Sequence, residues 1–129
     1  MTKSYSLADA RRSKIAPWEN PIREDFHVVV YQDKYPVTDG HLLFVPQHVE
    51  GRLIYDCFHD ALEYGKKMVN NGKWDGFNIG LNWGKAAGQT VDYPHIHLIP
   101  RRTGDVQDPR GGVRNVIPGK GNYIVDPPK

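Results

Sequence analysis

The segment from His95 to Ile99 restricts the fold of this chain more than any other part of its sequence. Histidine and aliphatic residues alternate at its start, and Pro94 and Pro100 bound it on either side. In a β-strand, side chains two residues apart lie on the same face of the sheet, roughly 7 Å from each other. We therefore predict that His95 and His97 project together from one face of a strand.

Other segments have patterns typical of regular structure. Residues 26–31 and 41–46 are rich in β-branched and aromatic residues, which favour strands. Residues 77–82 alternate with period two and predict a half-buried strand. Apolar residues recur at three- and four-residue steps over residues 53–71, which indicates one long helix. A short helix is expected near Leu7–Arg12 in an otherwise irregular N-terminal arm. Several antiparallel strands with one helix between them predict an α+β fold.

The composition is typical of a folded domain without a membrane segment. Hydrophobic residues make up 39% and charged residues 25% of the 129 residues. No run approaches the roughly 18 apolar residues of a membrane helix, and the polar N-terminus gives no reason to expect a secretory signal. Cys57 is the only cysteine, which excludes an internal disulfide and favours a cytoplasmic location. A net charge of +2 is too small to indicate bulk nucleic-acid binding.

Two imidazoles on one strand face can perform acid–base or nucleophilic chemistry. The ordinary histidine pKa, about 6.5, lets one ring act as a neutral nucleophile while the other donates a proton or a hydrogen bond. The glycine-containing loop before the pair includes Gln89 and Thr90, which offer donors to a phosphate. The same pair suits two metal ligands, completed by Tyr93 or Asp92, or a polar sheet face without chemistry. The residues alone leave these three alternatives open.

Two longer motifs resemble the histidine-triad (HIT) nucleotide-binding proteins. The first runs from Gly88 to Arg101 and contains Gly-Gln-Thr-Val, followed by His-Ile-His-Leu-Ile-Pro-Arg. The second lies in residues 31–46, where the family has its first hairpin. The family signature is His-φ-His-φ-His-φ-φ, in which φ is an apolar residue, and here Tyr93 replaces the first histidine. The resemblance covers roughly residues 26–118.

The resemblance implies the HIT fold, with an antiparallel sheet of about five strands and one main helix. It assigns residues 22–118 to a HIT-like domain, residues 1–21 to an N-terminal arm and residues 119–129 to a C-terminal tail. Family members commonly form homodimers, so a homodimer is the expected assembly.

The resemblance also implies roles for individual residues. His95 corresponds to the histidine that becomes nucleotidylated, and His97 to the one that contacts the phosphate and orients the site. The hydroxyl of Tyr93 is expected to replace part of the hydrogen bonding of the missing histidine. Three residues are assigned to the nucleoside side of the substrate: Asp33 as a ribose-binding carboxylate, Lys34 as a neighbouring pocket residue and Asn82 as a polar residue near the α-phosphate. Gln89 and Thr90 are assigned to contacts with the phosphate.

Four residues receive secondary interpretations. Arg110 and Arg114 lie in a stretch that resembles family members acting on dinucleoside polyphosphates, and they are expected to reach distal phosphates across a dimer interface. The alternative for this stretch is an exposed basic loop. His41 matches a recurrent family histidine and is interpreted as structural, and Trp18 is interpreted as core or edge packing.

The implied activity is hydrolysis or nucleotidyl transfer at the α-phosphate of a purine nucleotide conjugate, above all the phosphoric anhydride of a dinucleoside polyphosphate. His95 would form a nucleotidyl-histidine that water then cleaves. No metal or cofactor is expected to be required, and a divalent cation is expected only in company with a polyphosphate substrate. The alternatives are a nucleoside phosphoramidase and a catalytically weak nucleotide-binding module.

Overall fold

The computed structural model describes residues 5–124 and contains one five-stranded antiparallel sheet. The strands are β1 (Arg23–Glu24), β2 (Val28–Gln32), β3 (Leu42–Pro46), β4 (Gly76–Leu81) and β5 (Ile96–Arg101). They lie in the order β1-β2-β3-β5-β4. Two α-helices, α1 (Leu7–Arg12) and α2 (Gly51–Asn70), accompany the sheet. The expected α+β fold, with five antiparallel strands and one main helix, is confirmed.

The element boundaries differ from the predicted ones where the sequence pattern is weak. β1 consists of two exposed polar residues that pair with β2, so no apolar pattern predicts it. α2 begins at Gly51, whereas the sequence pattern predicts a start at residue 53. The pattern misses the first two residues of the helix because they are exposed and are not part of the apolar periodicity. It ends at Asn70 rather than residue 71. The ends of the predicted strands shift by up to two residues.

α2 covers one face of the sheet. The buried Cys57 and Ala61 on its apolar stripe pack in one cluster with Phe44, Ile96 and Leu98. Burial raises the pKa of the Cys57 thiol, which therefore stays protonated and packs as a small apolar group. Because alternate residues of a strand face opposite sides, this packing directs the histidines of the β5 region to the other face.

The N-terminal arm packs on that other face. Leu7, Ala10 and Ala16 are buried there in a second cluster that includes Tyr31 and Tyr93. Strands β2 and β3 are thus covered on both sides, which explains why their sequences are continuous apolar runs. The arm therefore completes the core of the folded unit.

Hydrogen bonds hold the arm in place. The hydroxyl of Ser6 accepts a hydrogen bond from Asp9 N–H at 3.1 Å and caps α1, which has the bounds expected from the sequence. Leu7 N–H donates to Gln47 O at 2.8 Å and joins the arm to the residue after β3. Neither helix in the described part of the chain is both long and apolar enough to cross a membrane.

α2 approaches the sheet closely at Gly65, and this contact generates a test of the packing. A β-carbon at Gly65 would lie 2.8 Å from ring atoms of Phe77. We expect Gly65→Ala to lower the free energy of unfolding by about 1–2 kcal/mol, because overpacking outweighs the gain of up to about 1 kcal/mol from helix propensity. Denaturant unfolding would measure this change.

The matched control is Gly51→Ala, because a β-carbon at that position meets nothing within 4 Å. This variant should be as stable as the parent or slightly more stable. Equal destabilisation by the two substitutions would contradict the described contact between α2 and β4.

Candidate active site

Three histidines meet on the face of the sheet opposite α2. His97 lies in β5, level with Leu43 of β3 and Gly80 of β4. His95 directly precedes β5, and the ring centroids of His95 and His97 are 5.1 Å apart. His41 directly precedes β3, and its ring centroid is 5.1 Å from that of His97. The structure thus brings the two sequence-predicted histidines together and adds a third.

Open space and a polar side chain border the histidines on the β4 side. A β-carbon at Gly80 would meet nothing within 4 Å, so the missing side chain leaves room beside His97. The pairing of β4 with β5, continued by one residue, sets Asn82 opposite His95. Asn82 therefore lies beside His95 along the sheet, and its expected role near the α-phosphate stays a prediction.

A chain of hydrogen bonds fixes the proton positions on two of the rings. Val37 N–H donates to Nδ1 of His41 at 3.1 Å, so the proton of the neutral His41 ring lies on Nε2. Nε2 of His41 in turn donates to Nδ1 of His97 at 2.9 Å. The proton of the neutral His97 ring then lies on its own Nε2, and His97 is an N–H donor at that atom.

The main chain fixes the opposite arrangement on His95. Its Nδ1 lies 2.8 Å from Tyr93 O, and a carbonyl oxygen can only accept, so Nδ1 is the donor. The neutral His95 ring therefore has its lone pair on Nε2. One ring of the site is thus an available nucleophile, while the neighbouring ring of His97 carries a proton on its Nε2.

Burial keeps these rings neutral at pH 7. It lowers the pKa of His97 to about 4, an effect that the neighbouring imidazoles strengthen and Asp33 opposes. Burial also lowers the pKa of His95, although the hydrogen bond to Tyr93 O opposes the shift. The pKa of His41 is likewise lowered by burial, against the influence of Asp33. The lone pair of His95 is consequently not lost to protonation at neutral pH.

The structure gives two residues a larger part in the site than sequence reasoning does. His41 is 3% exposed and donates to His97, although the sequence analysis treats it as structural only. Trp18 of the arm packs edge-on against His95, with ring centroids 5.0 Å apart. The position of His41 at the start of a predicted strand is a usable signal, whereas nothing in the irregular arm points to Trp18.

Asp33 lies beside the histidines and forms part of a set of metal-ligating groups. Its Oδ1 accepts from Tyr35 N–H at 2.8 Å, and its Oδ2 is 3.4 Å from Nε2 of His41. Ligand atoms of Asp33, His41 and His97 lie within 4.8 Å of one another. A cation on Nε2 of His41 would move the ring proton to Nδ1, against Val37 N–H. The arrangement therefore fits a shared proton better than a metal ion.

The side chain of Gln89 braces its own loop. Its Oε1 accepts from Gly84 N–H at 2.8 Å, and its Nε2 donates to Val91 O at 3.1 Å and to Asp92 O at 3.0 Å. Both amide hydrogens are in use, so a contact of Gln89 with a phosphate would have to come from its main chain rather than its side chain. Thr90 is exposed, and the phosphate contacts of both residues stay a prediction.

The hydroxyl of Tyr93 does not replace the hydrogen bonds of a triad histidine. It is fully buried and donates to Pro46 O at 2.7 Å, and its ring packs against those of Tyr5 and Trp18. The expected contribution of the hydroxyl to the site is therefore corrected. Tyr93 serves the site through its carbonyl oxygen, which orients His95.

Lys34, Arg110 and Arg114, the three cations that the sequence analysis assigns to the site, form no hydrogen bond or ion pair with the histidines within residues 5–124. Arg114 Nε donates to Gly121 O at 3.2 Å. Arg110 and Arg114 belong to the segment around a short 3₁₀-helix, Gly112–Val116, which packs against β4. Lys34 is exposed after β2. The structure thus holds Arg114 by its own segment, on the β4 side of the sheet.

Proteins with similar sequences include HIT proteins from all three domains of life. An uncharacterized HIT-like protein of Methanocaldococcus jannaschii is 38% identical over 102 residues, which cover 74% of this chain and 79% of that protein. The adenosine 5'-monophosphoramidase of Saccharomyces cerevisiae is 39% identical over 56% of this chain and 48% of the enzyme. The bis(5'-adenosyl)-triphosphatase of Dictyostelium discoideum is 31% identical over 57% of this chain and 54% of the enzyme. The chain thus spans about half the length of these two enzymes.

A solved structure and the match to a domain family lead to the same group of proteins as these relatives. A zinc-bound histidine triad family protein from Mycobacterium smegmatis superimposes with a TM-score of 0.63 at 27% identity, covering 74% of this chain and 76% of that one. The HIT domain family matches residues 19–104, a range that contains the whole sheet, α2 and the three site histidines. On this evidence, the chain belongs to the HIT domain family.

Proposed function

We propose that this HIT protein hydrolyses nucleotide conjugates at the α-phosphate through a nucleotidyl-histidine on His95. The observation that carries the proposal is the pairing of an unprotonated Nε2 on His95 with a protonated Nε2 on His97. The first atom is a nucleophile, and the second donates to a phosphate oxygen. The phosphoramidase and triphosphatase among the relatives support a nucleotide as the substrate.

In the first step, Nε2 of His95 attacks the α-phosphorus. A P–N bond forms, the bond from phosphorus to the leaving group breaks, and its electron pair departs with the leaving group. The nucleotidylated ring is then positively charged, because its Nδ1 keeps the proton that it donates to Tyr93 O. The Tyr93 carbonyl therefore holds the ring in place and stabilises its charge during the reaction.

In the second step, water attacks the same phosphorus and the P–N bond breaks. The electron pair of that bond returns to Nε2, the nucleoside monophosphate is released, and the proton from water passes to solvent. Negative charge on the phosphoryl oxygens is met by the Nε2–H of His97, with Asn82 and Thr90 as further polar groups nearby. The two steps replace one difficult displacement by two easier ones.

The neutrality of the site favours a phosphoric anhydride, such as a dinucleoside polyphosphate, as the preferred substrate. A phosphate leaving group departs as an anion without being protonated, whereas an amine leaving group needs a proton. With a pKa of about 4, His97 is a neutral ring with a single N–H at pH 7, and it is therefore a poor source of that proton. Any divalent cation would enter with the polyphosphate. A nucleoside phosphoramidate is the alternative substrate, and kcat/KM values for both classes decide between them.

We also propose that two copies pair through β4. Within residues 5–124 this strand has a neighbour on one side only. The 3₁₀-helix beside it exposes Val113 and Val116. Light scattering on the purified protein tests the dimer, and a cytoplasmic location stays a prediction.

Substitution of the nucleophile tests the proposed chemistry directly. We expect His95→Asn to lower kcat by about 10³-fold or more, because the lone pair of Nε2 is lost while the size of the side chain is largely kept. Mass spectrometry of protein quenched during turnover should find a nucleotide adduct on His95 of the parent and none in the variant. His59→Asn, at an exposed position of α2, is the matched control. Turnover by His95→Asn at the parental rate would exclude the mechanism.

The hydrogen bond from His41 tests how His97 is oriented. His41→Phe removes the donor to Nδ1 of His97, so the proton of His97 is free to move to Nδ1, and we expect kcat to fall by about 10²-fold. His41→Gln can still accept from Val37 and donate to His97, and should recover part of the rate. Nitrogen NMR should report the proton on Nε2 of His97 in the parent and on Nδ1 in His41→Phe. An unchanged tautomer in His41→Phe would contradict this role.

The pH profile tests the neutrality of the nucleophile. Because burial lowers the pKa of His95 below 6.5, the neutral fraction stays high as the pH falls through 6.5. We expect kcat/KM to be constant from pH 8 down to below pH 6.5 and to decline only at lower pH. Proton NMR should show His97 titrating near pH 4. An acid limb with its midpoint at or above 6.5 would be inconsistent with a buried nucleophile.

A further inference from the structure

A cavity of about 590 Å³ lies between α1, the residues that follow it and Trp18. Trp18 forms one wall of this cavity, which we name the arm cavity, and the same ring packs against His95 with centroids 5.0 Å apart. The arm cavity and the nucleophile are therefore both neighbours of the same residue, Trp18.

The lining of the arm cavity is cationic. Arg11, Arg12 and Lys14 contribute positive charge, and Glu19 contributes one negative charge. Arg12 is paired with Asp9. For Arg11 and Lys14, no ion pair is found within residues 5–124. Two cations of this cavity thus have no carboxylate partner in that part of the chain.

The backbone at Lys14 favours a different residue from the one present. Lys14 follows the end of α1 with φ +67°, a left-handed conformation in which glycine or asparagine is preferred. Lysine at this position destabilises the turn relative to glycine but adds a charge to the rim of the arm cavity. A lysine in this conformation is a reason to look for a function.

A buried tyrosine beside Trp18 lies close to Arg11. Tyr31 is 1% exposed, its ring centroid is 5.8 Å from that of Trp18, and its hydroxyl lies beside the side chain of Arg11. Arg11 lies close enough to oppose the rise in the Tyr31 pKa that burial causes. The cation Arg11 therefore lies close to Trp18 and Tyr31, and a guanidinium at this position is suited to phosphate oxygens.

We propose that the arm cavity binds a second phosphate group of the substrate, apart from the phosphate attacked by His95, through Arg11 and Lys14. This inference rests on the proposed function and narrows it to substrates with two separate phosphate positions. The second phosphate has two sources: the polyphosphate of a leaving group, or a phosphate on the ribose of the attacked nucleotide. Arginine and lysine serve both, because each pairs with phosphate oxygens whatever they are attached to.

Three substrates separate these sources. Diadenosine tetraphosphate carries further phosphates in its leaving group, adenosine 5'-phosphoramidate carries none, and its 3'-phosphorylated form carries one on the ribose. We would measure kcat/KM for each with the parent, with Lys14→Gly and with Arg11→Gln. Lys67→Ala on the exposed side of α2 is the matched control, because it removes a charge on the opposite face of the sheet.

The expected result is a specific loss. For each protein we divide kcat/KM for a substrate with a second phosphate by kcat/KM for the plain phosphoramidate. This ratio should be about tenfold lower in each of the two variants than in the parent. The substrate that loses rate identifies the source of the phosphate. Lys14→Gly should also unfold at the same or a higher denaturant concentration than the parent, since glycine suits its backbone. Equal rate losses on all three substrates, or none, would overturn the proposal.

Failure of the proposed function is distinguishable from failure of this inference. If the parent protein turns over none of the three substrates, the proposed function is wrong, and calorimetric titration with inorganic tripolyphosphate then tests the arm cavity alone. Binding to the parent that weakens about tenfold in Lys14→Gly supports the site. The same dissociation constant in both proteins, or no binding to the parent, refutes it.

Discussion

The positions of the ring protons on His41 and His97 depend on one main-chain group, the N–H of Val37. Its hydrogen bond to His41 sets the proton of that ring on Nε2. The hydrogen bond from this Nε2 to Nδ1 of His97 then sets the proton of His97 on its own Nε2. The carbonyl of Tyr93 sets the opposite arrangement on His95. Two imidazoles that are chemically identical in the sequence thereby acquire different roles, a donor and a nucleophile, because the backbone presents an N–H to one network and a C=O to the other.

Much of the fold follows from periodicity. The alternation around His97 and the helical spacing in α2 are strong because each element buries one face against a single layer. β1 could not be predicted, since two exposed polar residues join the sheet only because β2 offers a free edge. The packing of the arm was equally hidden, because its contacts with Tyr31 and Tyr93 join residues distant in sequence.

The candidate site was predictable in its residue types but not in its geometry. The spacing of His95 and His97 places both rings on one face, which local strand geometry guarantees. The contact of His41 with His97 joins residues 56 positions apart, and no local pattern contains it. Gln89 shows a second limit of sequence reasoning. The family motif identifies the residue, but only the structure shows that its side-chain amide is hydrogen-bonded to the backbone of its own loop.

The arm also bears on where this domain begins. The family match starts at residue 19, directly after Trp18, whereas the packed structure starts with the residues around α1. A fragment cut at the family boundary would expose the apolar side chains of Tyr31 and Leu43 to water and would strip the aromatic cover from His95. The packed core therefore includes residues that precede the range matching the family.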